Sequence, residues 1–298
     1  MNPWKNKDVN KEKAIDHLKY VNMVCARQIS KSIGETIFVD DAIYTGKYDE
    51  RFEALYGKRG EIVLNTKVDL IDTDTVSGLF KYINDDPYVY VGNVNITVLN
   101  FASYKNPGGM FLQGSMAQEE SLCHNSDLYP ILNFFDNTYY ARHRVKGATN
   151  NSLYHNELLI TKDVTFINYE DKYNPNICRD LRSITDITTA NVITCAAPNK
   201  KAAMRYSGIT AEEVYKVMDE RIHLILETAV KANTDVLILG AYGCGVFGNN
   251  PIDVARIFMS YLGPNGKYSS AFTNIIFAIP PGPNFDAFAS VLNEIYNR

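Results

Sequence analysis

The feature that most limits the fold is a set of short, nearly all-apolar runs, at Asn95–Leu99, Asn191–Cys195, Asp235–Leu239 and Asn274–Ile279. A strand with one wet face alternates apolar and polar side chains, whereas a strand covered on both faces need not. These runs therefore predict a sheet sandwiched between layers. Two more strands are read at Leu158–Thr161 and Val164–Asn168, and two earlier ones at Glu61–Asn65 and Lys67–Ile71. Apolar spacing near the helical period predicts helices over Thr75–Ile83 (with Asp74 as N-cap), Gln118–Phe135, Ala211–Ala232, Ile252–Leu262 and Phe285–Tyr296. The class is α/β: a three-layer α/β/α fold around a central mixed sheet.

Periodicity from Ala14 to Ile33 predicts one N-terminal helix that packs on something else. Residues 1–60 are read as a helical extension packed on the core, and 61–298 as a single structural unit. The stretch Asp136–Asn156 is polar and aromatic without a period, so it reads as a long surface excursion. With 298 residues, 46% of them hydrophobic, the chain can bury a full core, which excludes disorder and coiled coil.

Five cysteines, none in a C-x-x-C pair, fit a reduced compartment, and the polar start MNPWKNKDVNKEK carries no signal-peptide core. A cytoplasmic, soluble monomer without membrane contact is expected. A net charge of −4 offers no positive field for a nucleic-acid backbone, so no sequence-specific nucleic-acid partner is expected. A phosphate ligand would have to be held locally, by backbone N–H groups. The five histidines show no metal-ligand spacing, and no metal or cofactor is expected.

Two loops carry chemistry. In VLNFASYKNPGGMFLQGSMAQEESL a strand ends at Asn100, passes Ala102 and the flexible pair Gly108 and Gly109, and enters a helix at Gln118, Glu119 and Glu120. The glycines allow positive φ or close backbone approach. Neighbouring helical residues point about a hundred degrees apart, so the two carboxyls should not aim at one atom. One should be catalytic and the other supportive. The bland alternative is a turn followed by an acid-rich helix start.

In VLILGAYGCGVFGNNPIDVARIF a strand runs into Gly240, Gly243, Cys244, Gly245, Val246, Phe247 and Gly248, then a helix with Pro251 in its first turn. Such a loop can close on a diphosphate. It spells G-x-G-x-x-G, but no acid about twenty residues later completes a dinucleotide fingerprint, and no G-K-[ST] follows.

Together the two loops resemble the bacterial-type poly(ADP-ribose) glycohydrolases, a branch of the macrodomain superfamily. The likeness is specific from Val94 to Pro281, supported by ITCAAPN and IIFAIP, and weaker over the first ninety residues. It implies an ADP-ribosyl glycohydrolase acting on poly(ADP-ribose) or protein-linked ADP-ribose, with Glu120 as acid and base and Glu119 and Gln118 shaping the pocket. It further implies Asn100 and the Gly108–Gly109 loop on the distal ribose, Gly243 to Gly248 on the diphosphate, and adenine on Phe247 or Phe285. One departure is plain: where the family has a third consecutive glycine, Met110 stands here. On that residue rests the alternative of a macrodomain that binds ADP-ribose with weak or no hydrolysis.

Two other readings are weaker. Val68–Val76 mimics the D-x-D-x-[TV] start of a phosphatase class but lacks the later acids, and a nicotinamide oxidoreductase would rest on the glycine fingerprint alone. His124, one turn after Glu120, could share its helix face, while Tyr139, Tyr140 and Tyr154 could cover the pocket. Cys244 has no adjacent base and reads as a packing residue.

Overall fold

The computed structural model describes residues 3–58, 66–85, 94–169 and 184–296. One seven-stranded sheet runs through it, in the order β1-β4-β5-β3-β6-β7-β2. Its strands are β1 (Ile37–Asp40), β2 (Lys67–Ile71), β3 (Ile96–Phe101), β4 (Glu157–Tyr169), β5 (Ile184–Cys195), β6 (Val236–Leu239) and β7 (Asn274–Ala278). From β5 across to β2 every pairing is parallel, and β4 joins β5 and β1 antiparallel.

Alternate residues of the apolar runs supply two cores. Leu99, Ile193, Leu237 and Ile275 are buried on one side of the sheet, Val98, Val192, Ile238 and Ile276 on the other. The first side is closed by α9 (Ala211–Lys231), α10 (Pro251–Leu262) and α11 (Pro283–Tyr296), together with α3 (Asp49–Tyr56). The second is closed by α1 (Pro3–Val24), α2 (Ala26–Gly34), α4 (Thr75–Asp85), α5 (Gln118–His124) and α6 (Leu128–Phe134). This is the expected α/β/α sandwich, with Asp74 capping α4 through Ser77 N–H at 3.0 Å.

Several expectations are corrected. The N-terminal helix breaks at Cys25, and the first sixty residues are no mere helical extension, because β1 is an edge strand of the central sheet. The two strands predicted around residue 162 are one strand with an irregularity between Thr161 and Val164. The helix predicted over Gln118–Phe135 is interrupted where Asp127 N–H donates to Thr165 O at 3.0 Å and Asp127 Oδ1 accepts from Thr165 N–H at 2.9 Å. A tertiary pairing with β4 thus overrides local helix periodicity. The Asp136–Asn156 stretch is not simply superficial: Tyr139, Tyr140, His143 and Leu153 are buried. The strand expected at Glu61–Asn65 and residue Cys178 lie outside the described residues.

Candidate active site

β3 and β6 are hydrogen-bonded neighbours, so the two glycine loops that follow them emerge side by side although more than a hundred residues separate them in sequence. They leave from the C-terminal ends of parallel strands, where sheets of this class bind ligands.

The first loop holds both carboxylates. Gln118 opens α5 and clamps it to β3: its Oε1 accepts from Phe101 N–H at 2.8 Å, and its Nε2 donates to Leu99 O at 2.8 Å and Thr75 Oγ1 at 3.2 Å. Its amide therefore seats the helix on the strand. Glu119, buried, accepts from Ser103 N–H at 2.7 Å and from Asn100 Nδ2 at 3.3 Å. Glu120, also buried, accepts from Met110 N–H at 2.9 Å.

Two glycines make that geometry possible. Gly109 has φ +60, and a Cβ on it would fall 2.6 Å from Glu120 Oε1 and 3.1 Å from Glu119 Oε2. Gly108 has φ +66, and its Cβ would strike the Tyr129 ring at 2.6 Å. The two carboxyls accept from different N–H groups, yet both lie close to Gly109.

Burial pushes the Glu119 carboxyl up to about 8, and the N–H groups of Ser103 and Gly108 pull it back only partly. Near neutral pH it is largely a neutral acid. Asn100 is fully buried, and while its Nδ2 reaches Glu119 and Thr194, its Oδ1 has no hydrogen-bond partner among the described residues. A buried acceptor without a donor is costly, so this atom marks where a ligand hydroxyl would be welcome.

Met110, at φ −110, does not occupy the left-handed region that favours glycine, and its side chain is 49% exposed. Ala102 is buried at the strand end, its N–H bonded to Cys195 O at 3.1 Å. His124 is buried with its ring edge-on to Phe111 at 4.7 Å.

The second loop is built differently. Gly243 (φ +71) and Gly248 (φ +70) need their freedom, because added Cβ atoms would fall 2.7 Å from Ala197 and 2.6 Å from Lys201. Asn249 pins the loop through Nδ2 to Gly243 O and Pro198 O, both at 2.9 Å. Between these anchors the N–H groups of Gly245, Val246 and Phe247 donate to no atom among the described residues, and Val246 is 81% exposed. Three successive N–H groups without an acceptor among the described residues, ahead of a helix, are of the kind that can meet an anion. Burial pushes the Cys244 thiol up to about 12, which leaves it inert as a nucleophile.

An aromatic strap joins the two loops, and no periodic signal announces it. Tyr104, in the first loop, is stacked between His143 at 4.0 Å and Tyr154 at 4.1 Å, and Tyr154 meets the edge of Phe247 at 6.1 Å. Asn150, Asn151, Ser152 and Tyr154 all have positive φ, a run of strain that surrounding contacts must hold. The buried Arg221 supplies them, bonded to Leu153 O, Asn156 Oδ1 and Ala196 O. Tyr154 therefore lies against Phe247 of the second loop, whereas Tyr139 and Tyr140 are buried in the core. Phe247 and Phe285 are both half-buried and lean on the same core.

Residues 12–169, more than half the chain, match the family model described as microbial-type PARG, catalytic domain. The chain belongs to the microbial-type poly(ADP-ribose) glycohydrolases. Membership makes it a hydrolase of glycosidic bonds with an ADP-ribose site, and gives its sandwich the macrodomain-like type. The match begins well inside the first ninety residues, where the likeness was expected to be weak.

Solved structures agree. The chain resembles the poly(ADP-ribose) glycohydrolase of Thermomonospora curvata with a TM-score of 0.75 and 24% identity over 95% of this chain and 98% of that one. The same enzyme bound to the inhibitor ADP-HPD gives a TM-score of 0.72 and 25% identity over 94% and 98%. The enzyme of Deinococcus radiodurans, solved with ADP-ribose, gives 0.69 and 29% identity over 90% and 98%. No curated protein matches the chain in sequence. No helix among the described residues is long and apolar enough to cross a membrane.

Proposed function

We infer that the chain removes ADP-ribose from poly(ADP-ribose) or from modified protein, with Glu120 as the group that moves the proton. The distal ribose sits over Gly109, its hydroxyls meeting the free Asn100 Oδ1 and the Glu119 carboxyl. The diphosphate lies in the nest of Gly245, Val246 and Phe247, and adenine stacks on Phe247 or Phe285. Glu120 donates its proton to the oxygen leaving the anomeric carbon as an oxocarbenium-like transition state develops. The resulting carboxylate then takes a proton from water, whose oxygen bonds to the same carbon. The neutral Glu119 keeps a second negative charge away from that exchange.

The observation that carries this reading is the seating of both carboxyls against Gly109 by the N–H groups of Ser103 and Met110. A binding-only protein has no use for two acids under its ribose loop. The feature behind the binding-only alternative, Met110, keeps an ordinary φ, and its N–H serves the acid. Glu120→Gln tests the assignment: it should bind ADP-ribose as the parent does by calorimetry and lose release by about 10²–10⁴-fold. Unchanged release would remove Glu120 from the mechanism.

A further inference from the structure

The backbone that presents Ser103 N–H to Glu119 is also gripped from outside the site. Tyr104 O accepts from His143 Nδ1 at 2.7 Å, and the next carbonyl, Lys105 O, accepts from Arg144 at 3.0 Å. His143 and Arg144, neighbours at the end of the helical turn Ala141–His143, thus hold two consecutive carbonyls of the first loop. A carbonyl oxygen can only accept, so Nδ1 carries the imidazole hydrogen.

The imidazole is itself fixed. It is buried, stacked on the Tyr104 ring at 4.0 Å and met edge-on by Tyr139 at 4.5 Å. On its far side Nε2 meets Glu157 Oε1, with Arg142 Nε at 3.4 Å, and Arg142 also bonds the other oxygen of Glu157. Glu157 is the first residue of β4 and pairs with Asp40 of β1. The grip is therefore anchored in the central sheet.

We propose that His143 is a positioning residue for the hydrolysis: oriented by Glu157, it holds Tyr104 O so that Ser103 N–H stays on Glu119. The proposal rests on the hydrolase reading above. Ser103 N–H, 2.7 Å from Glu119 Oε2, lies one residue before the carbonyl that His143 holds. β3 ends at Phe101, so strand pairing fixes neither residue. Without the imidazole hydrogen this backbone loses its outer tie, and Glu119 beside Glu120 loses its fixed place. A misplacement of about 1 Å at a reacting site can cost a hundredfold in rate.

The effect falls on turnover rather than on affinity. The Tyr104 ring keeps its stack on Tyr154 at 4.1 Å, and its hydroxyl keeps Ala148 O at 3.1 Å. The contacts leading to Phe247 and the second loop thus do not depend on the imidazole.

Two amide substitutions separate the hydrogen bond from the packing. In His143→Asn the amide nitrogen branches from Cγ as Nδ1 does and can still donate to Tyr104 O. In His143→Gln it sits one bond further out, where Nε2 was. His143→Gln should lower kcat for ADP-ribose release about tenfold, a partial form of the loss a misplaced group brings. His143→Asn should lower it less than about threefold, with ADP-ribose affinity by calorimetry within about twofold in both. His143→Phe, which keeps a ring on Tyr104 and so the packing, should show the same fall as His143→Gln, and it decides the matter where the amides do not fold. Equal losses in His143→Asn and His143→Gln, a parent-like kcat in His143→Phe, or a fall in affinity as large as that in kcat would overturn the role while leaving the hydrolase reading intact. Failure of the parent protein to release ADP-ribose from polymer or modified protein would overturn both.

Discussion

The two glycine loops start from adjacent strands and end in opposite designs. In the first, polar groups other than Asn100 Oδ1 satisfy one another: Ser103 and Met110 N–H on the two acids, Gln118 on β3, Asn100 Nδ2 on Glu119. In the second, the anchors at Gly243, Gly248 and Asn249 are tight, but three N–H groups between them have no acceptor among the described residues. On the function proposed above, the first loop fixes atoms that must not move during a proton transfer, and the second keeps donors free for a charge that arrives with the ligand. Substitutions in the first should therefore damage turnover, and substitutions in the second should damage affinity.

The severest test of that division is Gly109→Ala. It adds a Cβ where Glu120 Oε1 lies 2.6 Å away, at φ +60. Displacing a reacting group by about 1 Å can cost a hundredfold, so kcat should fall by at least that while ADP-ribose affinity declines far less. Steady-state kinetics beside calorimetry checks it, and comparable losses in both would erase the distinction between the loops.

A pH experiment probes the burial on which the first loop depends. The Glu119 carboxyl lies at about 8 in the folded protein, above its ordinary value of 4.5, so between those pH values the native state binds the extra proton. Its contribution to stability is intact below about 4.5 and is lost as pH rises through about 8. Asp127, pushed up to about 7 by burial, adds a loss of the same sign. Glu119→Gln should therefore flatten the fall in Tm between pH 5 and 9 by a few degrees. An unchanged slope would place the titration elsewhere.

The second loop sharpens the comparison with smaller effects. Gly248→Ala combines φ +70 with a clash against the flexible Lys201 side chain, so ADP-ribose affinity should drop several-fold with kcat nearly unchanged. At Gly245 a Cβ meets nothing within 4 Å, and its φ lies outside the left-handed region. Gly245→Ala should alter affinity by less than about twofold, because the N–H groups that serve the anion keep their positions.

Much of this division was legible in the sequence. The apolar runs placed β3, β5, β6 and β7, and the glycines with the paired acids located both loops. What escaped reading depends on partners far along the chain. β1 is four residues at an edge, IFVD, and is a strand because β4 lies beside it. The break before α6 exists because Asp127 answers Thr165, and Gln118 looks like a pocket residue until its amide is seen on β3. The Tyr104–Tyr154–Phe247 strap has no spacing rule at all, because twenty tyrosines scattered through a chain do not reveal which ones stack.

The N-terminal helix meets the first loop closely at Gly114. A Cβ on Gly114, in the loop between Gly109 and α5, would fall 2.2 Å from the Lys7 carbonyl oxygen of α1, and Asn10 Nδ2 reaches Gly114 O at 3.4 Å. Any side chain at position 114 would therefore wedge α1 away from the loop that begins at Gly109, so the spacing of two segments far apart in sequence is set by a residue that carries no side chain.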